Sequence, residues 1–292
     1  MRQTSSNERL RNRFWIGVGL LILLANTGPA EAQLNRTLHL DGWILAAAHA
    51  PGLQGSIWRT DLWIRAHRGG GVVTLYFNRA EEDNSRVFGH EIEIGNPEKQ
   101  IYIEDVVDQF LDVGNGSWVG AIRYESTTPV QVYARVYSVS EDGSASFGQV
   151  IEGIPTSDMT MPFTDDDYPG TREDQWMFAL KHTADGRYRV NIGVVNPTAT
   201  ETSCPISIFG PDGNRPPGVG TSSFSITVPP YSLVQLSDPF GEISGGEWNN
   251  YTVRVETETE GTGVFGYASV IDNATNDAYF VRGVKMLEAD CP

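Results

Sequence analysis

Gly55-Ser56-Ile57-Trp58-Arg59-Thr60-Asp61-Leu62-Trp63-Ile64-Arg65-Ala66 is a polar turn running into a strand. Leu62, Ile64 and Ala66 alternate with Asp61, Trp63 and Arg65. A period of two sends an apolar and a polar set to opposite faces of a sheet. A weaker copy stands at Gly186-Arg187-Tyr188-Arg189-Val190-Asn191-Ile192-Gly193-Val194-Val195-Asn196, and the landmarks around the first copy recur in order around the second. Trp43-Ile44-Leu45-Ala46 with His49 answers to Trp176-Met177-Phe178-Ala179 with His182. Ile101 to Asp105 answers to Val234 to Asp238, Trp118 and Arg123 to Trp248 and Arg254, and Tyr133-Ala134 to Tyr267-Ala268. The offset stays between 130 and 134 residues throughout.

Working outward, the same alternation appears in Val73-Leu75-Phe77, Glu91 to Ile94, and Val130-Val132-Ala134-Val136. Short strands separated by Gly- and Pro-rich turns predict an all-β chain of two tandem antiparallel β-sandwich domains, immunoglobulin-like or jelly-roll-like. One short helix is expected after Asp105, with Asp105 as its cap and Val106, Val107, Phe110 and Leu111 on one face. Expected boundaries are a leader over 1–32, a first sandwich over 33–155, an acidic linker over 156–173 and a second sandwich over 174–292.

The leader reading rests on Arg2, Arg9, Arg11 and Arg13, the apolar run Phe14 to Ala25, and Ala30-Glu31-Ala32 as a small-x-small cleavage pattern. Its apolar run reaches roughly 18 Å as helix, against a hydrocarbon core of roughly 30 Å. No later stretch is long and apolar enough to span a bilayer, so the expected location is secreted: periplasmic, extracellular or at the cell surface. Removing a leader with four Arg and two Glu takes the net charge from −16 to −18. Such a charge disfavours nucleic acid and anionic lipid as partners. Export permits a disulfide between the two cysteines, Cys204 and Cys291. The chain-entropy cost it would remove from the unfolded state is roughly 4.5 kcal/mol.

Residues present in both copies are explained most simply by the fold. Trp63 is not among them, because its counterpart is Gly193. With Asp61 and Arg65 beside it, and Tyr76 and Tyr137 on other strands of the same half, it suits a flat ligand platform of the kind that takes a sugar ring. The alternative is that Trp63 packs against the other half or a loop. Asp165 and Asp167 lie in an acidic run whose oxygens suit calcium, yet Pro169 and Trp176 stand where a calcium loop needs ligands, and a solvated linker is the competing reading. No other cofactor is expected. The Gly-x-Ser-x-Gly, His-Glu-x-x-His and phosphate-loop signatures of enzymes are missing.

The run Ala50-Pro51-Gly52-Leu53-Gln54-Gly55-Ser56-Ile57-Trp58-Arg59-Thr60-Asp61-Leu62 resembles a motif of exported bacterial tandem β-sandwich proteins of unassigned function. Ile103-Glu104-Asp105 before a short helix and Tyr267-Ala268-Ser269-Val270 near the end are similar to that family too. The resemblance implies the tandem fold and carries no activity. The expected function is a non-catalytic secreted or surface module that acts by contact, in structure or adhesion, with protein or glycan as partner. The alternative is a carbohydrate-binding module built on Trp63.

Overall fold

The residues that alternate in the sequence pair into antiparallel sheets, and their alternation decides which side of each sheet is dry. The computed structural model describes residues 38–52, 55–67, 69–95, 100–111, 116–140, 142–143, 146–161, 172–214, 223–240 and 248–288. Residues 1–37, which include the expected leader, and residues 162–171 of the acidic segment lie outside them. No described helix is long and apolar enough to cross a membrane.

The first half holds β1 (His39–Pro51), β2 (Ile57–Ala66), β3 (Gly71–Arg79), β4 (His90–Ile94), β5 (Gln100–Ile103), helix α1 (Val106–Gln109), β6 (Trp118–Val139) and β7 (Ser146–Glu152). The second holds β8 (Arg172–His182), β9 (Tyr188–Asn196), β10 (Thr202–Phe209), β11 (Ser223–Val228), β12 (Ser232–Leu236), β13 (Trp248–Val255), β14 (Phe265–Asp272), β15 (Asp277–Arg282) and β16 (Val284–Glu288). β6 is 22 residues long and serves two layers. Its start pairs with β1 and β3, giving β4-β3-β6-β1, and its end pairs with β2 and β7, giving β5-β2-β6-β7. The second half repeats this order as β11-β10-β13-β8-β16 and β12-β9-β14-β15, with β13 and β14 taking the two parts of β6.

Register agrees as well as order. Trp43 faces Arg123 on one side and Ile154 on the other, and Trp176 faces Arg254 and Val284. Trp63 lies between Tyr102 and Tyr133, and Gly193 between Gln235 and Tyr267. A bulge interrupts β1 against β6 between Ile44 and Ala47. Its counterpart between β8 and β13 involves Ala179 and Asn250, whose φ angles of 57° and 62° are left-handed.

Inward residues fill two cores. Leu62, Ile64, Leu75, Ile122 and Val132 lie in the first, and Met177, Val190, Ile192, Val194 and Val253 in the second. The outward residues of β9, β12 and β14 are not solvated. Val195, Leu233, Phe265 and Tyr267 join the first core cluster, alongside Trp43, Leu45 and Ile154. Fully burying a large apolar side chain contributes about 1.5–3 kcal/mol, so these side chains fasten the second half onto the first. Backbone bonds seal it: Glu81 N donates to Leu233 O at 2.8 Å and Asn84 N to Pro230 O at 3.0 Å. Residues His39–Pro292 accordingly form one compact unit.

α1 buries Val106 and Val107 as expected. Asp105, however, makes no side-chain cap, because its carboxylate turns to His49 and its backbone sits at φ 42°.

Gly193 is where the halves differ most. A Cβ there would lie 2.0 Å from the Tyr267 ring. That ring stacks on Phe280 at 5.0 Å, and its hydroxyl donates to Gln235 Oε1 at 2.7 Å. Gly193→Ala is therefore expected to destabilise the fold by about 1–3 kcal/mol through overpacking. Gly95→Ala, with nothing within 4 Å, should stay within about 0.5 kcal/mol. Urea unfolding midpoints of the two variants check this.

Candidate contact surface

The outward residues of the β5-β2-β6-β7 layer form a row across four strands: Tyr102, Trp63, Tyr133 and Glu152. Cross-strand neighbours in such a row lie close enough to touch. The rings of Trp63 and Tyr102 are 5.1 Å apart and inclined by 31°. Tyr102 is 51% exposed, and Trp63 and Tyr133 are half-buried. Gln131 Nε2 donates to the Tyr133 hydroxyl at 2.9 Å, which donates to Glu152 Oε1 at 3.3 Å. Exposed Arg65 continues the surface on one side, and Arg135 with the exposed Val150 on the other.

Asp61 lies beneath this surface. Its buried carboxylate accepts from the Tyr102 hydroxyl at 3.1 Å, the Tyr137 hydroxyl at 3.1 Å and the Asp105 amide at 3.0 Å. With those bonds made, Asp61 positions Tyr102 rather than offering itself to a ligand. Tyr137 is buried too, and burial, then the Asp61 charge, pushes its hydroxyl up to about 12. Burial also raises Tyr102 and Tyr133, each helped by its neighbouring carboxylate. Tyr76 is elsewhere: its hydroxyl donates to Glu125 at 3.1 Å, and its ring lies 4.0 Å under Arg123, which also approaches Tyr231 at the joint.

Of the five residues expected on one platform, Trp63 and Arg65 reach the surface, Asp61 and Tyr137 support it from below, and Tyr76 belongs to the other layer. Tyr102 and Tyr133 complete it and were missed. Tyr102 alternates with Ile101 and Ile103 and so had to point outward. Tyr133 recurs as Tyr267 and was set down to architecture, yet the two occupy different surroundings. The second half's corresponding row runs Gln235, Gly193, Tyr267 and Arg282: Tyr267 is fully buried in the joint and Gln235 half-buried, while Arg282 stays exposed and pairs with Asp158 at 2.7 Å.

Two other groupings bear on chemistry. His49 Nδ1 lies 2.9 Å from Asp105 Oδ2, and His182 Nδ1 lies 3.0 Å from Asp238 Oδ1. Asp105 and Asp238 share a left-handed backbone at φ 42° and 47°. His49, Asp105 and Asp108 bring ligand atoms within 4.8 Å of one another, the one described grouping of metal-binding type. Arg59 Nε, 3.7 Å from Asp105 Oδ2, competes with a cation there, and recurrence in both halves makes the pair a clasp between β1 or β8 and the turn after β5 or β12. Burial pushes the Asp105 carboxyl up, against the opposing effect of His49. At the joint, a cleft of about 340 Å³ is lined by Ala47, Trp58, Gln149, Arg189, Asn191 and Tyr267 among others.

Asp165 and Asp167, the expected calcium ligands, lie outside the described residues. Cys204 is a free, buried thiol, which burial pushes up to about 12. Its expected partner Cys291 also lies outside the described residues. Compared with known proteins, the chain matches neither a family nor a curated sequence.

Asp61→Ala strands the buried Tyr137 hydroxyl and the buried Asp105 amide, and an expected cost of about 3 kcal/mol follows; Arg65→Ala should change stability by less than about 0.5 kcal/mol. Chemical denaturation of both variants checks the division between support and surface. A second expectation concerns alkali. Unfolded tyrosine titrates near ~10, and Tyr137 in the fold near about 12. Folded chain keeps a proton that unfolded chain releases, so stability is full below pH ~10 and falls as pH rises through about 12. Tyr137→Phe should make that fall shallower in a series of unfolding curves against pH.

Proposed function

We propose that this chain is an exported, non-catalytic contact module whose working surface is the Tyr102-Trp63-Tyr133 row with Arg65, Arg135 and Val150. Its two halves derive from one duplicated unit, a reading that common strand order, register and the twin His–Asp clasps support. One observation carries the functional proposal. The face that bears this row is packed against protein in the second half, while in the first half it is open and richer in aromatic and Arg residues. Trp, Tyr and Arg are the residues that anchor protein interfaces. The apolar leader pattern supports export, and the acidic balance suits an extracellular solute.

A sugar platform is the second reading, favoured by the exposed, adjoining rings of Trp63 and Tyr102. One experiment separates the two. A photo-crosslinking residue replaces Arg65 in cells that export the protein, and the mature protein is applied to a glycan array. The contact reading expects protein adducts that Trp63→Ala removes and no glycan signal. Glycan binding that Trp63→Ala abolishes, without adducts, would hand the surface to carbohydrate. Neither signal would sink both.

A further inference from the structure

The joint between the halves is head-to-tail. The second half contributes the outer face of β12-β9-β14, and the first contributes the outer face of the layer holding β1, where Trp43, Leu45 and Ile154 are buried. Each half therefore has both kinds of face, and each uses one. The first half's unused face is the Tyr102-Trp63-Tyr133 row. The second half's unused face centres on Trp176, Phe178 and Val284, which occupy the register positions of Trp43, Leu45 and Ile154. The burial contrast is large: Trp43 and Leu45 are 0% exposed and Ile154 1%, whereas Phe178 is 42% and Val284 53% exposed and Trp176 is half-buried.

This second open face is not a random apolar patch. Trp176 stacks on Phe209 at 5.5 Å and on Phe178 at 6.4 Å, with the Arg254 guanidinium 5.5 Å from its ring. At Arg254 the first half has Arg123, which meets Tyr231 of the second half across the joint. The counterpart of one side of this contact thus stands open on the second half, and the counterpart of the other stands open on the first, with Trp63, Arg65, Gln100 and Gln131 in place of Gly193, Val195, Leu233 and Phe265.

We infer that a second copy of this chain docks on these faces, the Trp63 row of one copy seated on the Trp176 face of the next, continuing between molecules the contact made once within each. This inference rests on the contact reading of the Trp63 row and names its partner. An unlike pair of faces propagates into a filament, or closes into a ring if the rotation permits. The net charge of −16 on the precursor opposes the approach of copies, so association is weak at low salt and strengthens as salt screens the repulsion.

Sedimentation of the mature protein over rising concentration and salt tests this. The expected result is a mass that climbs above that of one chain. Trp63→Arg and Phe178→Arg should each weaken association roughly tenfold or more, the loss that an aromatic anchor carries. Because the faces are unlike, mixing the two variants should restore one contact and give a heterodimer that stops at two chains. Circular dichroism checks that both variants fold; Arg65→Glu and Val284→Arg serve as milder substitutes if either does not. A single chain at every concentration and salt overturns the inference. So does an oligomer indifferent to either variant, or a mixture that fails to pair. If the chain stays single while crosslinks from position 65 reach a different protein, the contact reading survives and self-docking does not.

Discussion

Tyr267 lies flat over Gly193, and that contact makes the joint between the halves. A side chain at 193 would lift the ring, and the ring covers the first core together with Val195, Leu233 and Phe265. Removing one Cβ thus turns a strand face that elsewhere meets water into an interior. Apolar area lost from water drives the packing, and the missing side chain lets the backbone come near enough to collect it.

That difference and those at the positions around it explain why two halves with common strand order have different surfaces. In the first half the position carries Trp63, and the neighbouring positions carry Arg65, Gln100 and Gln131 where the second half has Val195, Leu233 and Phe265. Polar residues with an aromatic centre suit a face that is wetted part of the time. Apolar residues suit one that never is. The His–Asp clasps lie outside this divergence. Both halves keep them, at 2.9 and 3.0 Å, because both must hold a left-handed Asp against the end of a strand.

Much of the fold was legible in the sequence. Alternation through Leu62, Ile64, Val73, Leu75, Val132 and Ala134 named inward residues correctly, since period two leaves little choice once one face is buried. The clasp was half-legible: His49 and Asp105 both recurred, but nothing local ties residues 56 positions apart. The candidate surface was less so. Whether an outward residue meets solvent or a neighbouring layer is a long-range fact, which is why Tyr133 and Tyr267, matched in register, have opposite fates. Asp61 looked like a ligand-binding charge because the two phenols that occupy it, Tyr102 and Tyr137, arrive from strands 41 and 76 residues away.

The continuity of β6 has a consequence of its own. One unbroken strand ties both layers of the first half, so fraying in one layer is carried along the strand into the other. In the second half the same work is divided between β13 and β14, with residues 256–264 crossing between them. That crossing is fastened by a buried trio of hydroxyls, Thr202 Oγ1 lying 2.8 Å from Thr257 Oγ1 and 2.9 Å from Thr262 Oγ1. The second half thus ties its two leaves by side-chain hydrogen bonds where the first uses one continuous backbone.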